Sequence, residues 1–138
     1  MSATDLENYH PSKDEPFMND RQKEYFKRKL LDWRNDILKE SKDTLEQLQE
    51  ESLHLADIAD RASTETDKAI ELRTRDRQRK LISKIDKALR KIEIDEYGYC
   101  EETGEPITLA RLEARPIATL SLEAQERHER SEKVHRDD

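Results

Sequence analysis

Residues 17–97 contain neither glycine nor proline; both glycines and all four prolines of the chain lie outside that stretch. These are the residues that interrupt a helix, at about 1 and 3 kcal/mol each, so a long run without them favours helix. Within the run, Phe26, Leu30, Trp33 and Ile37 are spaced four, three and four apart, which puts them on one helical face. Leu45 and Leu48 prolong this stripe less regularly. A second stripe passes through Leu72, Ile82, Ile85, Leu89 and Ile92, its last four members spaced three, four and three. Between the stripes the periodicity weakens, and Ser63 or Thr64 is suited to cap a new helix. Two stripes around a weakly periodic segment predict an antiparallel helical hairpin with its tip at 56–63. Counting outward from that tip sets Phe26 opposite Ile92, Leu30 opposite Leu89, Trp33 opposite Ile85 and Ile37 opposite Ile82. Arms of about 30–35 residues would be roughly 45–50 Å long. One continuous helix through residue 96 is the competing reading, and its stripe would need an external partner along its whole length. Asp20 is the expected N-cap of the first helix.

Charged residues make up 43% of the 138 and the hydrophobic set only 33%, enough for a stripe but not for a large core. The net charge of -7, with both signs mixed along the chain, argues against non-specific DNA binding, which needs a basic surface. The single cysteine, Cys100, excludes an intrachain disulfide and a multi-cysteine metal site. No apolar run approaches the ~20 residues of a membrane span. Residues 1–19 lack the apolar segment of a signal peptide. The expectation is a soluble, cytoplasmic protein.

Residues 1–19, with Pro11 and Pro16 among polar neighbours, read as a flexible N-terminal arm or a weakly docked helix. Residues 20–96 form the hairpin. Residues 97–138 are expected to be a small globular segment with a C-terminal helix. Tyr97–Pro106 holds both glycines and a proline, the composition of a compact loop or small hairpin. Ile107, Leu109, Leu112, Ile117 and Leu120 are available for a small core beneath it. Pro116 prevents a helix from running through. Ser121 is a candidate N-cap, with Ala124 at the third helical position and a polar helix running to about His135.

The order of motifs resembles the DksA family of regulators of bacterial RNA polymerase. Asp57-Ile-Ala-Asp60-Arg61-Ala62 matches that family's Asp-x-x-Asp-x-Ala tip motif. Phe17–Asn35 resembles the start of its first coiled-coil helix, and Glu71–Ile82 the second. Asp95–Cys100 resembles the entry to its zinc finger, and Arg111–Pro116 the segment between its two Cys-x-x-Cys pairs. The similarity covers about residues 17–130. One departure is large: the four finger positions read Cys100, Thr103, Ser121 and Ala124. Structural zinc takes four strong ligands, so zinc is not expected and no residue is assigned to a metal. The chain is similar to a cysteine-poor branch of the family that keeps the finger fold without metal. Packing by Ile107, Leu112, Leu120 and Leu122 is then expected in place of the metal, with Cys100 as a semi-buried small residue.

The fold implied is mainly α, a long antiparallel coiled-coil hairpin with a small metal-free zinc-finger-like domain and a C-terminal helix. The function implied is binding of RNA polymerase through its secondary channel. Open-complex stability at ribosomal RNA and amino-acid biosynthesis promoters would change, with the alarmone ppGpp as co-regulator in the stringent response. The protein would be a monomer and not an enzyme, with no direct sequence-specific DNA binding and no membrane association. By the same resemblance Asp57, Asp60 and Ala62 face the polymerase active site, where a carboxylate can disturb polar and metal contacts. Without it, two acids at i and i+3 are an ordinary solvated turn. Arg73, Arg75, Arg77, Arg79 and Lys80 do not share one face. They read as a solvated surface, from which the resemblance singles out Arg77 for docking on the channel rim. Leu81, Lys84 and Arg115 match positions that hold ppGpp together with polymerase, arginine being suited to phosphate by its planar fork. A third basic position of that site falls on Gln125. A Gre-like transcript-cleavage factor, also with acids at a hairpin tip, and a structural coiled-coil adaptor are the rival readings.

Overall fold

The computed structural model describes residues 6–55 and 61–137. Four helices follow one another: α1 (Asp20–Leu55), α2 (Arg61–Glu93), α3 (Leu109–Ala114) and α4 (Leu122–Asp137). Among the described residues the only extended pairing is an isolated antiparallel bridge between Tyr99 and Pro106. The chain divides into two compact units, one formed by the chain through Leu30 together with Lys87 onward, the other by Leu31–Asp86.

The second unit is a helix pair. Arg34 Nε bonds Asp86 Oδ1 across it at 2.9 Å. Further along, Ser41, Thr44 and Leu45 of α1 line one crevice with Glu71, Thr74, Arg75 and Gln78 of α2. Numbers rise on one helix as they fall on the other, so the pair is antiparallel. A single continuous helix is thereby excluded. Ile37 and Ile85 are buried, while Trp33, Leu81 and Ile82 are half-buried. Leu72 is 65% exposed and takes no part in the seam.

The first unit holds most of the core. Phe26 and Leu30 are fully buried, as is Gln22, and Ala88 and Ile92 of α2 are buried as well. Ala88, rather than Leu89, is the more deeply buried residue of that turn. The N-cap of α1 is Asn19, one residue before the expected Asp20: its Oδ1 accepts from the Gln22 amide at 2.9 Å. An amide from the first turn is thereby satisfied. Lys23 Nζ meets Asp95 Oδ1 at 2.6 Å and ties the start of α1 to the end of α2. Asp95 itself has φ of 59°, and the amides of Glu96 and Tyr97 return to the Lys91 carbonyl. That is a left-handed helix ending of the kind usually closed by glycine.

Where a flexible arm or weakly docked helix is expected, residues 6–19 fold back onto α1. Tyr9 is buried, edge-on to Tyr25 at 5.9 Å, with the Arg21 guanidinium 4.0 Å from its ring centre. Its hydroxyl donates to Glu15 at 2.8 Å. Gln22 accepts from the Met18 amide at 2.7 Å and donates to the Ser12 carbonyl at 3.4 Å. Gly98 makes room for this arm: at φ +90°, a Cβ there would lie 3.0 Å from Phe17 Cζ and 3.1 Å from Met18 Cε.

Candidate functional site

The finger-like segment is built around two tight turns. The Cys100 amide donates to Glu105 O and the Gly104 amide to Cys100 O, both at 2.8 Å, closing a turn between paired residues Tyr99 and Pro106. The Glu101 amide reaches Thr119 O at 2.9 Å and joins this turn to the one before α4. The Tyr97 hydroxyl donates to Pro116 O at 2.8 Å, and Arg111 Nε to Leu120 O at 2.9 Å. Tyr97, Cys100, Ile107, Leu112 and Ala124 are buried. Leu109, Ile117 and Leu120 are half-buried, and Leu122 is 58% exposed, so Leu122 does not supply the packing expected of it. Burial pushes the Tyr97 phenol up, helped by the Glu113 charge.

The four finger positions have distinct environments. Cys100 is a free, buried thiol rather than a semi-buried one. Burial raises it, but hydrogen bonds from the Thr103 hydroxyl and from the Ser121, Thr103 and Glu102 backbone outweigh that and lower it to about 6. Thr103 Oγ1 also accepts from the Glu105 amide at 3.2 Å. Ser121 caps α4 as expected, its Oγ accepting from the Ala124 amide at 3.2 Å. Ala124 contributes a fully buried methyl. One sulfur, two hydroxyls engaged as local turn and cap acceptors, and a methyl do not make the four-ligand set that structural zinc requires. Among the described residues no group of three or more His, Cys, Asp or Glu is placed to hold a metal ion.

A charged network braces the first unit. Glu113 of α3 accepts from the Tyr25 hydroxyl at 2.5 Å and pairs with Lys29 at 2.6 Å. Burial raises its carboxyl, yet the bonds from Lys29 and Tyr25 prevail and lower it. Burial, then Glu113, pushes the Tyr25 phenol up to about 12. Lys91 bonds Glu101, and His128 Nε2 lies 2.9 Å from Glu102 Oε1, linking α4 to the first turn.

Asp57 and Asp60 lie outside the described residues, between Leu55, which ends α1, and Arg61, which begins α2. Ala62 lies in the first turn of α2, so that helix starts before the expected Ser63 or Thr64 cap. Arg73, Arg75, Arg77, Arg79 and Lys80 are exposed. Arg75 pairs with Glu71 at 2.8 Å and Lys80 with Asp76 at 3.0 Å, both along α2. Lys84 is exposed in the second unit. Arg115, in the first unit, is exposed at the C-cap of α3, its amide donating to Arg111 O at 2.7 Å. No described helix is long and apolar enough to cross a membrane. The sequence reading misses the arm-docking residues Tyr9, Phe17, Met18 and Gln22 and the Tyr25–Lys29–Glu113 network. Only the density of aromatic residues near the ends of the hairpin hinted at them.

Residues 22–92 match the sequence model described as the DnaK suppressor protein DksA, N-terminal domain, and residues 95–130 match the prokaryotic dksA/traR C4-type zinc finger. The chain belongs to the DksA family. It is 73% identical over 130 residues to an RNA polymerase-binding transcription factor DksA of Caulobacter vibrioides, covering 94% of this chain and 92% of the relative. To the protein of the same description in Escherichia coli K12 it is 42% identical over 123 residues, covering 89% and 82%. Among solved structures, transcription factor DksA2 from Pseudomonas aeruginosa superposes with a TM-score of 0.75 at 38% identity, covering 85% of this chain and 90% of that one. DksA family membership therefore spans both the hairpin and the finger-like segment, including the part where three of the four finger positions are not cysteine.

Proposed function

We propose that the chain regulates transcription by binding bacterial RNA polymerase through its secondary channel and changing open-complex lifetime. The observation that carries this reading is the 73% identity, over 94% of the chain, to a factor described as RNA polymerase-binding. The protein is a regulator and not an enzyme. It acts as a cytoplasmic monomer on polymerase, without sequence-specific DNA contacts or a membrane. Asp57, Asp60 and Ala62 face the polymerase active site, and Arg77 docks on the channel rim. Ribosomal RNA promoters are repressed and some amino-acid biosynthesis promoters activated. A Gre-like cleavage role is disfavoured by the match of residues 95–130 to the dksA/traR finger.

The alarmone ppGpp is the co-regulator, held by Leu81, Lys84 and Arg115 together with polymerase. Single-round transcription from a ribosomal promoter, with and without ppGpp, tests both statements. The parent should repress, and ppGpp should deepen repression, less so than in a relative with a basic residue in place of Gln125. Lys84→Ala with Arg115→Ala should remove most of the ppGpp increment and leave basal repression near the parent level. A double variant that responds like the parent would overturn the assignment, and absence of any parent effect would overturn the polymerase reading.

Folding is zinc-independent. The support is the donor set, since Ala124 offers no lone pair and Cys100 is the only thiol. A strong chelator should leave the thermal midpoint unchanged within about 1 °C, well below the several degrees that loss of even ~1 kcal/mol produces. Elemental analysis finding one tightly held zinc per chain would overturn this.

A further inference from the structure

Burial changes abruptly along the helix pair. Phe26, Leu30, Ala88 and Ile92 belong to the buried core of the first unit, whereas in the second unit Ile37 of α1 and Ile85 of α2 are buried. Beyond them, among the described side chains, none of residues 38–50 and none of residues 65–84 is buried. The crevice between the helices in this outer half is lined by Ser41, Thr44, Glu71, Thr74, Arg75 and Gln78, with Leu45 as its one large apolar residue. Large apolar residues are present, but point away: Leu38 is 43%, Ile70 51% and Leu72 65% exposed. The ion pairs Glu71–Arg75 and Asp76–Lys80 run along α2 rather than across to α1.

We infer that the part of this helix pair beyond Ile37 and Ile85 is a soft outer half, in which the two helices part and fray while the first unit stays folded, and that binding must select its closed form. A helix pair is held mainly by apolar knobs buried at the seam. A seam of hydroxyls and amides gains little by closing, because those groups hydrogen-bond equally well to water. Most of a helix's stability in a protein comes from packing of its apolar face, so little else holds these turns. Elements with few buried apolar contacts open at low free energy independently of the rest. A partner that grips both helices at once binds only the closed pair, so its apparent affinity is reduced by the closed fraction. This last step rests on the polymerase reading; the softness does not.

Hydrogen exchange on the full chain tests the softness first. Amides of residues 40–50 and 65–80 should show protection factors below about ten, while those around Leu30 and Ala88 exceed about a thousand, as expected for local opening above a stable core. Filling the seam with Ser41→Leu and Gln78→Leu should slow outer-half exchange by at least about tenfold through added apolar burial. Apparent polymerase affinity should rise about twofold to fivefold, the gain available when a closed fraction of a half to a fifth approaches one. Uniform protection along both helices, or a filled seam that leaves exchange unchanged, would overturn the soft segment. Slowed exchange with unchanged affinity would overturn its coupling to binding. A parent chain that binds no polymerase would instead overturn the proposed function and leave the exchange result standing.

Discussion

Asp60→Asn should abolish the effect on open complexes while leaving polymerase binding nearly intact. The substitution is close to isosteric and removes one charge. Asp57 and Asp60 fall between the two apolar stripes, in a stretch with no helical run of large side chains to bury. Changes at such positions generally alter stability by no more than about 0.5 kcal/mol. Docking is proposed elsewhere, at Arg77, so affinity should stay within about threefold, the spread expected for loss of a peripheral contact. The carboxylate is assigned to the catalytic centre, where a negative charge beside bound cations has no neutral substitute. Competition binding and open-complex lifetime at a ribosomal promoter, the latter at saturating protein, separate the two effects. Retained binding with lost destabilisation is the expected result. Full activity of the Asp57→Asn, Asp60→Asn double variant would reduce the tip acids to a solvated turn.

What was legible in the sequence was whatever repeats. Spacings of four, three and four brought Phe26, Leu30 and Ile37 to one buried side, and the symmetry of the two stripes gave the antiparallel pairing that Arg34–Asp86 keeps. Leu72 failed because it precedes Ile82 by ten residues, which at about 100° per residue turns it some 80° off the stripe. Leu122 failed for a related reason: Ala124, two residues later on α4, faces inward, and a step of two points to the opposite side. Ala88 was overlooked because a methyl adds little to an apolar pattern, although it is buried. The arm gave no signal of this kind. Tyr9, Phe17 and Met18 dock through ring edges and a hydrogen bond to Gln22, which follow no sequence period. Its seat also needs Gly98, distant in the chain but in contact with Phe17 and Met18, a long-range requirement that one sequence cannot announce. The finger positions were located by the family resemblance and by no signal of their own; only then did their chemistry, a methyl and two hydroxyls where the family has thiolates, become readable.

The inner core predicts the largest loss of stability. Phe26 is fully buried, with Tyr25 edge-on at 5.2 Å and Tyr97 tilted at 5.6 Å from its ring. Removing a buried phenylalanine side chain typically costs about 3–5 kcal/mol, as transfer free energy plus the cavity left behind. Ring pairs of this kind account for about 0.5–1.5 kcal/mol beyond buried area, and two are lost together. A domain this size has only about 5–15 kcal/mol in total, so Phe26→Ala should forfeit a large share of it. At a few degrees per kcal/mol, the thermal midpoint should fall by about 10–20 °C. Leu72→Ala is the matched control: an exposed leucine with near-equal helix propensity to alanine should change stability by less than about 0.5 kcal/mol. Trp33, the only tryptophan, is half-buried on α1 and reports on the hairpin, while far-ultraviolet circular dichroism reports on all helices. Phe26→Ala should lower both signals' midpoints, because the softer outer turns have no core of their own to persist on. If Phe26→Ala and Leu72→Ala unfold at the same temperature, the main core is not the one around Phe26, and the contrast between a firm first unit and soft outer turns fails with it.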